Sequence, residues 1–229
     1  MESLLKKSCS LKSLLKEDED VPDFPNMAQV ISQNVQANVY IIGRRGKVLG
    51  CHLWDQNSCS NIQHVLAFSE RFPESYNQKL LSILDTQNIM TDTESSCIFS
   101  PNECPLPERY VAVLPIYGWG ERLGTIALAS AAKKITDEAL ILAEFGAMVV
   151  GMGVMLLKVK RAETEDKNTA NVQIALKAMS FSELKSVIHI LNELEGSEGL
   201  VVASRVADRV GITRSVIVNA LRKLESAGV

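Results

Sequence analysis

Five basic side chains, Arg205, Arg209, Arg214, Arg222 and Lys223, lie between Ala203 and Leu224 with a single acid, Asp208, among them. Cations at this density hold phosphate oxygens, and the short polar side chains beside them, Ser215 and Asn219, suit contact with base edges. The whole chain carries a formal net charge of −3, so contact with a polyanion has to be a local property of this stretch. The spacing fits two short helices that present those groups. Val202, Val206 and Val210 recur one turn apart and make one face of a first helix apolar. Gly211 suits its end, because a residue without Cβ enters the left-handed region at little cost. Thr213 suits the N-cap of a second helix. Val216, Ala220, Leu221 and Leu224 are expected to form the buried face of that helix, with Arg214, Ser215, Asn219, Arg222 and Lys223 opposite. Any helical hairpin has two amphipathic helices and a glycine turn. The basic bias turns the reading towards a helix-turn-helix on DNA.

Other chemistry finds less support. His52, His64 and His189 are scattered, and no nucleophile elbow, zinc-binding helix or kinase motif set is present. Cys9, Cys51, Cys59, Cys97 and Cys104 include no C-x-x-C pair, which argues against a zinc site and for reduced thiols in a cytoplasmic protein. No metal or required cofactor is expected, and no enzyme. Gly118-Trp-Gly-Glu-Arg-Leu-Gly124 has a glycine pattern but lies between two strand-like runs, so it reads as a hairpin rather than a dinucleotide loop. No phosphate loop of the G-x-x-x-x-G-K-[ST] type occurs.

At 229 residues with a hydrophobic fraction of 46%, the chain has room for two cored domains. Leu4, Leu5, Leu11, Leu14 and Leu15 fit a short amphipathic helix that stops at the acidic run before Pro22. A second helix is expected over Asn26–Val35. Val39 to Trp54 reads as a hairpin turning at Arg45-Gly46. Helices are expected over Asn61–Arg71 and Asn77–Ile83, and a long loop over Asp85–Leu106. Tyr110–Tyr117 and Arg122–Ser130 read as paired strands. Thr136 can cap a long apolar helix that continues through the charged run ending at Lys167. Its uncharged part, Phe145–Leu157, is 13 residues. A membrane span needs roughly 20, so a buried or interface helix is expected and no membrane. Gly146, Gly151 and Gly153 suggest close packing of a second copy's helix. Ser180-Phe-Ser-Glu183 is a capping box opening another helix, with Gly196 at its end. The fold class is α+β.

The stretch Ala203-Ser-Arg-Val-Ala-Asp-Arg-Val-Gly-Ile-Thr-Arg-Ser-Val-Ile-Val-Asn-Ala-Leu-Arg-Lys-Leu-Glu-Ser-Ala-Gly-Val229 resembles the helix-turn-helix of the CodY family of bacterial transcription regulators. Arg44-Arg-Gly-Lys47, Phe72-Pro-Glu-Ser-Tyr76, Gly120-Glu-Arg-Leu-Gly-Thr125 and Leu142-Ala-Glu-Phe-Gly146 extend the resemblance over nearly the whole chain. It implies a GAF-like effector-binding domain over residues 1–155, a helical linker over 156–176 and a winged helix-turn-helix over 177–229, here without the wing. It implies a homodimer or higher homo-oligomer that binds a double-stranded DNA operator, mainly as a repressor. Isoleucine, leucine, valine and, in many members, GTP are the implied effectors. At DNA it implies Ala207, Arg214 and Ser215. For an aliphatic amino acid it implies Phe72, Pro73, Tyr76 and Phe99, and Ile62, Val65 and Leu66 suit the helical wall of such a pocket. For a nucleotide it implies Arg44, Arg45 and Lys47 with Lys158.

Two positions depart from the family pattern. The arginine that anchors the amino-acid carboxylate corresponds here to Asn61 or Ile62, and the carboxylate that can read guanine corresponds to Gly153. Losing a charge-assisted contact removes roughly 1.5–3 kcal/mol. An alternative is therefore the same DNA-binding regulator with a degenerate or differently liganded sensor that serves mainly for dimerisation.

Overall fold

The computed structural model describes residues 3–16, 21–54, 70–91, 109–131, 133–194 and 202–228. Two compact units follow one another, residues 1–158 and 159–229. The first is built on a five-stranded antiparallel sheet of order β2-β1-β5-β4-β3. Its strands are β1 (Asn38–Gly43), β2 (Val48–His52), β3 (Gln87–Thr91), β4 (Arg109–Gly118) and β5 (Glu121–Ser130). The α+β expectation holds, and the two predicted hairpins are β1–β2 and β4–β5. Gly46 turns the first with φ +80°.

Strand β3 lies inside the segment expected to be a loop. It is short and polar, with no alternating pattern to announce it, and it is recruited by pairing along the β4 edge, Gln87 opposite Val113 through Thr91 opposite Arg109. Tertiary pairing outweighs local propensity here.

Each strand sends alternate side chains to opposite faces. Val39, Ile41, Leu114, Ile116, Ile126 and Leu128 face a large core shared with α1 (Leu4–Ser13), α2 (Phe24–Val35) and α4 (Asp137–Lys177). Tyr40, Ile42, Val113 and Ala127 face the other side, beneath Phe72 and Leu80, the latter on α3 (Glu74–Ser82). Helix α2 starts two residues before the expected Asn26, because Asp23 accepts the Asn26 N–H at 3.0 Å and Pro25 sits in the first turn. Helix α3 begins at Glu74 rather than Asn77, with Pro73 at its N-cap.

The 41-residue α4 is, among the described residues, the one helix long and apolar enough to cross a bilayer. Its Leu142, Ala143, Ala147, Val149 and Val150 are instead buried in the core. Thr136 receives the Ala139 N–H at 3.3 Å, as a cap should. Glu144, the one charge in the apolar run, accepts a hydrogen bond from the Thr86 hydroxyl, and burial raises its pKa. The glycines of α4 face elements of their own domain. A Cβ would come within 2.8 Å of Ile31 at Gly146, 2.7 Å of the Tyr117 carbonyl at Gly151 and 3.2 Å of Pro22 at Gly153. All three admit elements of their own domain.

The second unit holds the end of α4, then α5 (Phe181–Glu193), α6 (Ala203–Val210) and α7 (Arg214–Ser226). The capping box is present in full: Ser180 receives the Glu183 N–H and Glu183 receives the Ser180 N–H. Helix α5 ends at Glu193, with Leu194 as C-cap, ahead of the expected Gly196, which lies outside the described residues.

Candidate functional site

Helices α6 and α7 pack through Val206, Ala207, Val210 and Ile217, with Ile190 of α5 completing the cluster. Gly211 ends α6 at φ +69°, its N–H reaching the Ala207 carbonyl at 3.0 Å. The turn is the expected one, but two side chains differ from expectation. Val202 precedes α6 and is 40% exposed. In α7 the fully buried residues are Ile217 and Ala220, whereas Val216 is only half-buried. Val216-Ile217-Val218 is a run of three apolar residues, so periodicity alone leaves the buried phase open by one position.

Arg214, Ser215, Asn219 and Arg222 are exposed along one side of α7, as the spacing predicts. Thr213 is exposed at the N-cap, yet its hydroxyl caps nothing and instead pairs with the Ser215 hydroxyl at 2.9 Å. Ala207 is 6% exposed and packs inward. Lys223 does not share the exposed side. Its ammonium donates to the Ala178 carbonyl at 2.8 Å and to Glu183 at 2.9 Å. That ammonium and the Ser180 N–H hold the Glu183 carboxyl at a pKa of about 2. Its stabilising contribution is therefore present above the ordinary carboxylate range and is lost only as the pH falls towards 2.

In the first unit the family-implied pocket residues fall into two groups. Phe72 is 4% exposed and meets Tyr40 edge-on at 6.4 Å and Tyr76 at 5.5 Å between ring centres. Tyr76 is half-buried, and Pro73 is exposed at the head of α3. Ile62, Val65, Leu66 and Phe99 lie outside the described residues, as does Asn61. The β-sheet floor beneath Phe72 is apolar and small, with Val113, Ala127 and Ala129.

Arg122, not singled out by the sequence reading, fixes this face. Its guanidinium donates to the carbonyls of Ile83, Leu80 and Gly124 and to the Thr125 hydroxyl at 2.6–3.2 Å, and lies over the Tyr117 ring. The available signal was one cation inside an apolar strand. Asn77 is a second residue missed. Its amide donates to the Arg44 carbonyl at 3.0 Å, while the Phe72 N–H reaches the Gly46 carbonyl at 2.9 Å. The β1–β2 turn and the Phe72–Tyr76 segment thus form one hydrogen-bonded piece.

The structure brings Arg44 and Lys158 together as the resemblance implies, but through an acid that had not been assigned. Glu121, the first residue of β5, bonds Arg44 at 3.0 Å and Lys158 at 2.6 Å. The Lys158 hydrogen bond is the main cause of its lowered pKa, with Arg44 adding to it. Arg45 and Lys47 are exposed on the same turn. Gly153 is buried, and a Cβ there would meet the side chains of Pro22, Met27 and Phe24 at 3.2–3.4 Å, so those neighbours would have to give by a few tenths of an ångström.

The chain matches the CodY GAF-like domain over residues 3–178 and the CodY helix-turn-helix domain over residues 197–229. It is 44% identical over 231 aligned positions to a global transcriptional regulator CodY of Clostridium botulinum, covering 100% of this chain and 89% of the relative. A global transcriptional regulator CodY of Clostridium kluyveri matches at the same 44% and the same coverage. Among solved structures, the cofactor binding GAF domain of the nutrient sensor CodY from Clostridium difficile is 29% identical, with a TM-score of 0.46 over 67% of this chain and 99% of that one. With both domain models matched in order, and full-length relatives well above the threshold for common descent, this chain belongs to the CodY family, transcriptional regulators that pair a GAF-like domain with a helix-turn-helix DNA-binding domain and are not enzymes.

Proposed function

We propose that the chain is a cytoplasmic, effector-responsive repressor that reads a double-stranded DNA operator with α7. The observation that carries this is the exposed set Arg214, Ser215, Asn219 and Arg222 along one side of a helix whose other side is fixed by Ile217 and Ala220. Thr213 extends that set at the helix start, where recognition helices approach base edges. A branched aliphatic amino acid suits the apolar face around Phe72 and Tyr76, and isoleucine, leucine and valine are the proposed effectors. The Arg44, Arg45, Lys47 and Lys158 cluster suits the phosphates of GTP, provided the incoming anion displaces Glu121. A second copy of the chain is proposed on the exposed stripe Ile141, Met148, Met152 and Leu156 of α4, whose spacing fits a helix seam.

Gly153, which brings no carboxylate to its place beside Pro22, Met27 and Phe24, favours a second reading, in which guanine selectivity is lost and the first domain serves mainly for dimerisation. A mobility-shift titration separates the two. The DNA is a duplex selected from random sequence by the chain itself, with and without millimolar isoleucine, leucine, valine or GTP. Tightening of at least tenfold by an amino acid supports the effector reading. Equal binding with and without every effector supports the second, and absence of any DNA binding overturns both.

A further inference from the structure

Lys223 lies in the recognition helix, beside Arg222, in a stretch whose basic bias points to phosphate contacts. Its geometry assigns it another task. The ammonium is 2.8 Å from the Ala178 carbonyl, just beyond the C-terminus of α4, and 2.9 Å from Glu183 near the start of α5. A helix C-terminus leaves carbonyls without intrahelical donors and carries partial negative charge, so an ammonium is well suited to it. The same Oε2 of Glu183 that receives Lys223 also receives the Ser180 N–H at 2.7 Å, and Glu183 is 7% exposed. One oxygen therefore ties the capping box of α5 to α7. Beside it, Met179, Val187 and Ala220 are buried together with Leu176, Leu184 and Leu224 packed against them, so an apolar cluster from the same three helices accompanies the joint.

We propose that Lys223 and Glu183 are positioning residues for DNA binding: they lock the recognition helix to the end of α4 and the start of α5, and Lys223 makes no phosphate contact. The exposed side chains Arg214, Ser215, Asn219 and Arg222 then reach DNA at an angle set by this joint. Anything that moves the end of α4 moves α7 with it.

The two roles leave different marks on salt dependence. A lysine that neutralises a phosphate contributes about 0.9 to the slope of log affinity against log salt, and its removal lowers the slope by that amount. A positioning lysine lowers affinity without that loss. The test is fluorescence anisotropy on the full chain, with a duplex selected from random sequence by the unaltered chain, over a salt series. Lys223→Met, Glu183→Gln, Lys223→Arg and the Lys223→Met/Glu183→Gln pair are compared. Glu183→Gln keeps an acceptor for Ser180 while removing the charge that holds Lys223. Lys223→Met and Glu183→Gln are each expected to weaken binding by about tenfold, with the double variant no weaker than either, as coupled partners behave. The slope should stay unchanged, and Lys223→Arg should recover most of the affinity. A slope lowered by about one contact in Lys223→Met, with Glu183→Gln binding normally, would overturn the proposal. If Lys223→Met fails to fold, Glu183→Gln decides alone: a tenfold loss at constant slope supports the joint, and unaltered affinity overturns it.

Discussion

Two groups of cations in this chain meet opposite fates. Arg44 and Lys158, far apart in sequence, converge on the Glu121 carboxylate. Arg214 and Arg222 on α7 are exposed, and no described carboxylate pairs with either. The difference does not lie in the cations. It lies in the start of β5, which carries an acid to the first group, and in α6, whose Asp208 forms no such pair with α7. Lys223 shows how narrow the margin is. It stands one position after Arg222, about 100° further round the helix, and that rotation turns it from the open side to Glu183. A basic stretch becomes a binding face only where the fold withholds its counter-ions.

The largest break in this contrast comes from beneath the open face. Ile217 is fully buried between α6 and α7, and truncating it leaves a void in a small core. Ile217→Ala should cost about 2–5 kcal/mol in the unfolding of the second unit, read by urea titration of helical signal. A cost below about 1 kcal/mol would mean that α7 is held by something other than this core. Next comes Arg214→Ala. An exposed arginine at the start of a recognition helix is worth roughly 1–3 kcal/mol of specific DNA binding, with no loss of fold stability. Equal affinity for selected and unselected DNA in the unaltered chain would remove the basis of that expectation.

Glu121→Gln probes the neutralised group. Removing the shared carboxylate frees Arg44 and Lys158, so inorganic triphosphate, followed by calorimetry, should bind roughly two- to fivefold more tightly than to the unaltered chain. The sign matters. A lowered carboxylate pKa means the ion pair contributes above the ordinary carboxylate range and is lost in acid, so near neutral pH the competition is at full strength. Weaker triphosphate binding in Glu121→Gln would show that the carboxylate organises the cations rather than competing for them.

Much of this architecture was legible in the residues. Gly46 and Gly211 announced their turns, because positive φ is cheap only without a Cβ. Ser180 and Glu183 announced the start of α5. The exposed set on α7 followed from charge and period together. What stayed hidden depended on distant partners. Strand β3 exists because β4 offers an edge. The assignments of Glu121 and Glu183 required knowing which lysine each would meet, and the α4 glycines required knowing that Ile31, Tyr117 and Pro22 approach them. Local pattern says which face is apolar, and only the assembled fold says what covers it.

The smallest effect is expected at Thr213, and it tests the edge between fold and face. A threonine at an N-cap ordinarily holds a backbone N–H of the first turn, and its loss costs about 1 kcal/mol. Here the hydroxyl pairs with Ser215 instead, and the Val216 N–H is taken by the Thr213 carbonyl, which any residue supplies. Thr213→Ala should therefore change unfolding free energy by less than about 0.5 kcal/mol. Its DNA binding should still fall by roughly threefold, about half of a neutral hydrogen bond's upper value, because the exposed hydroxyl belongs to the open side. A stability loss near 1 kcal/mol with intact DNA binding would assign the hydroxyl to the fold, and the open face of α7 would then begin at Arg214.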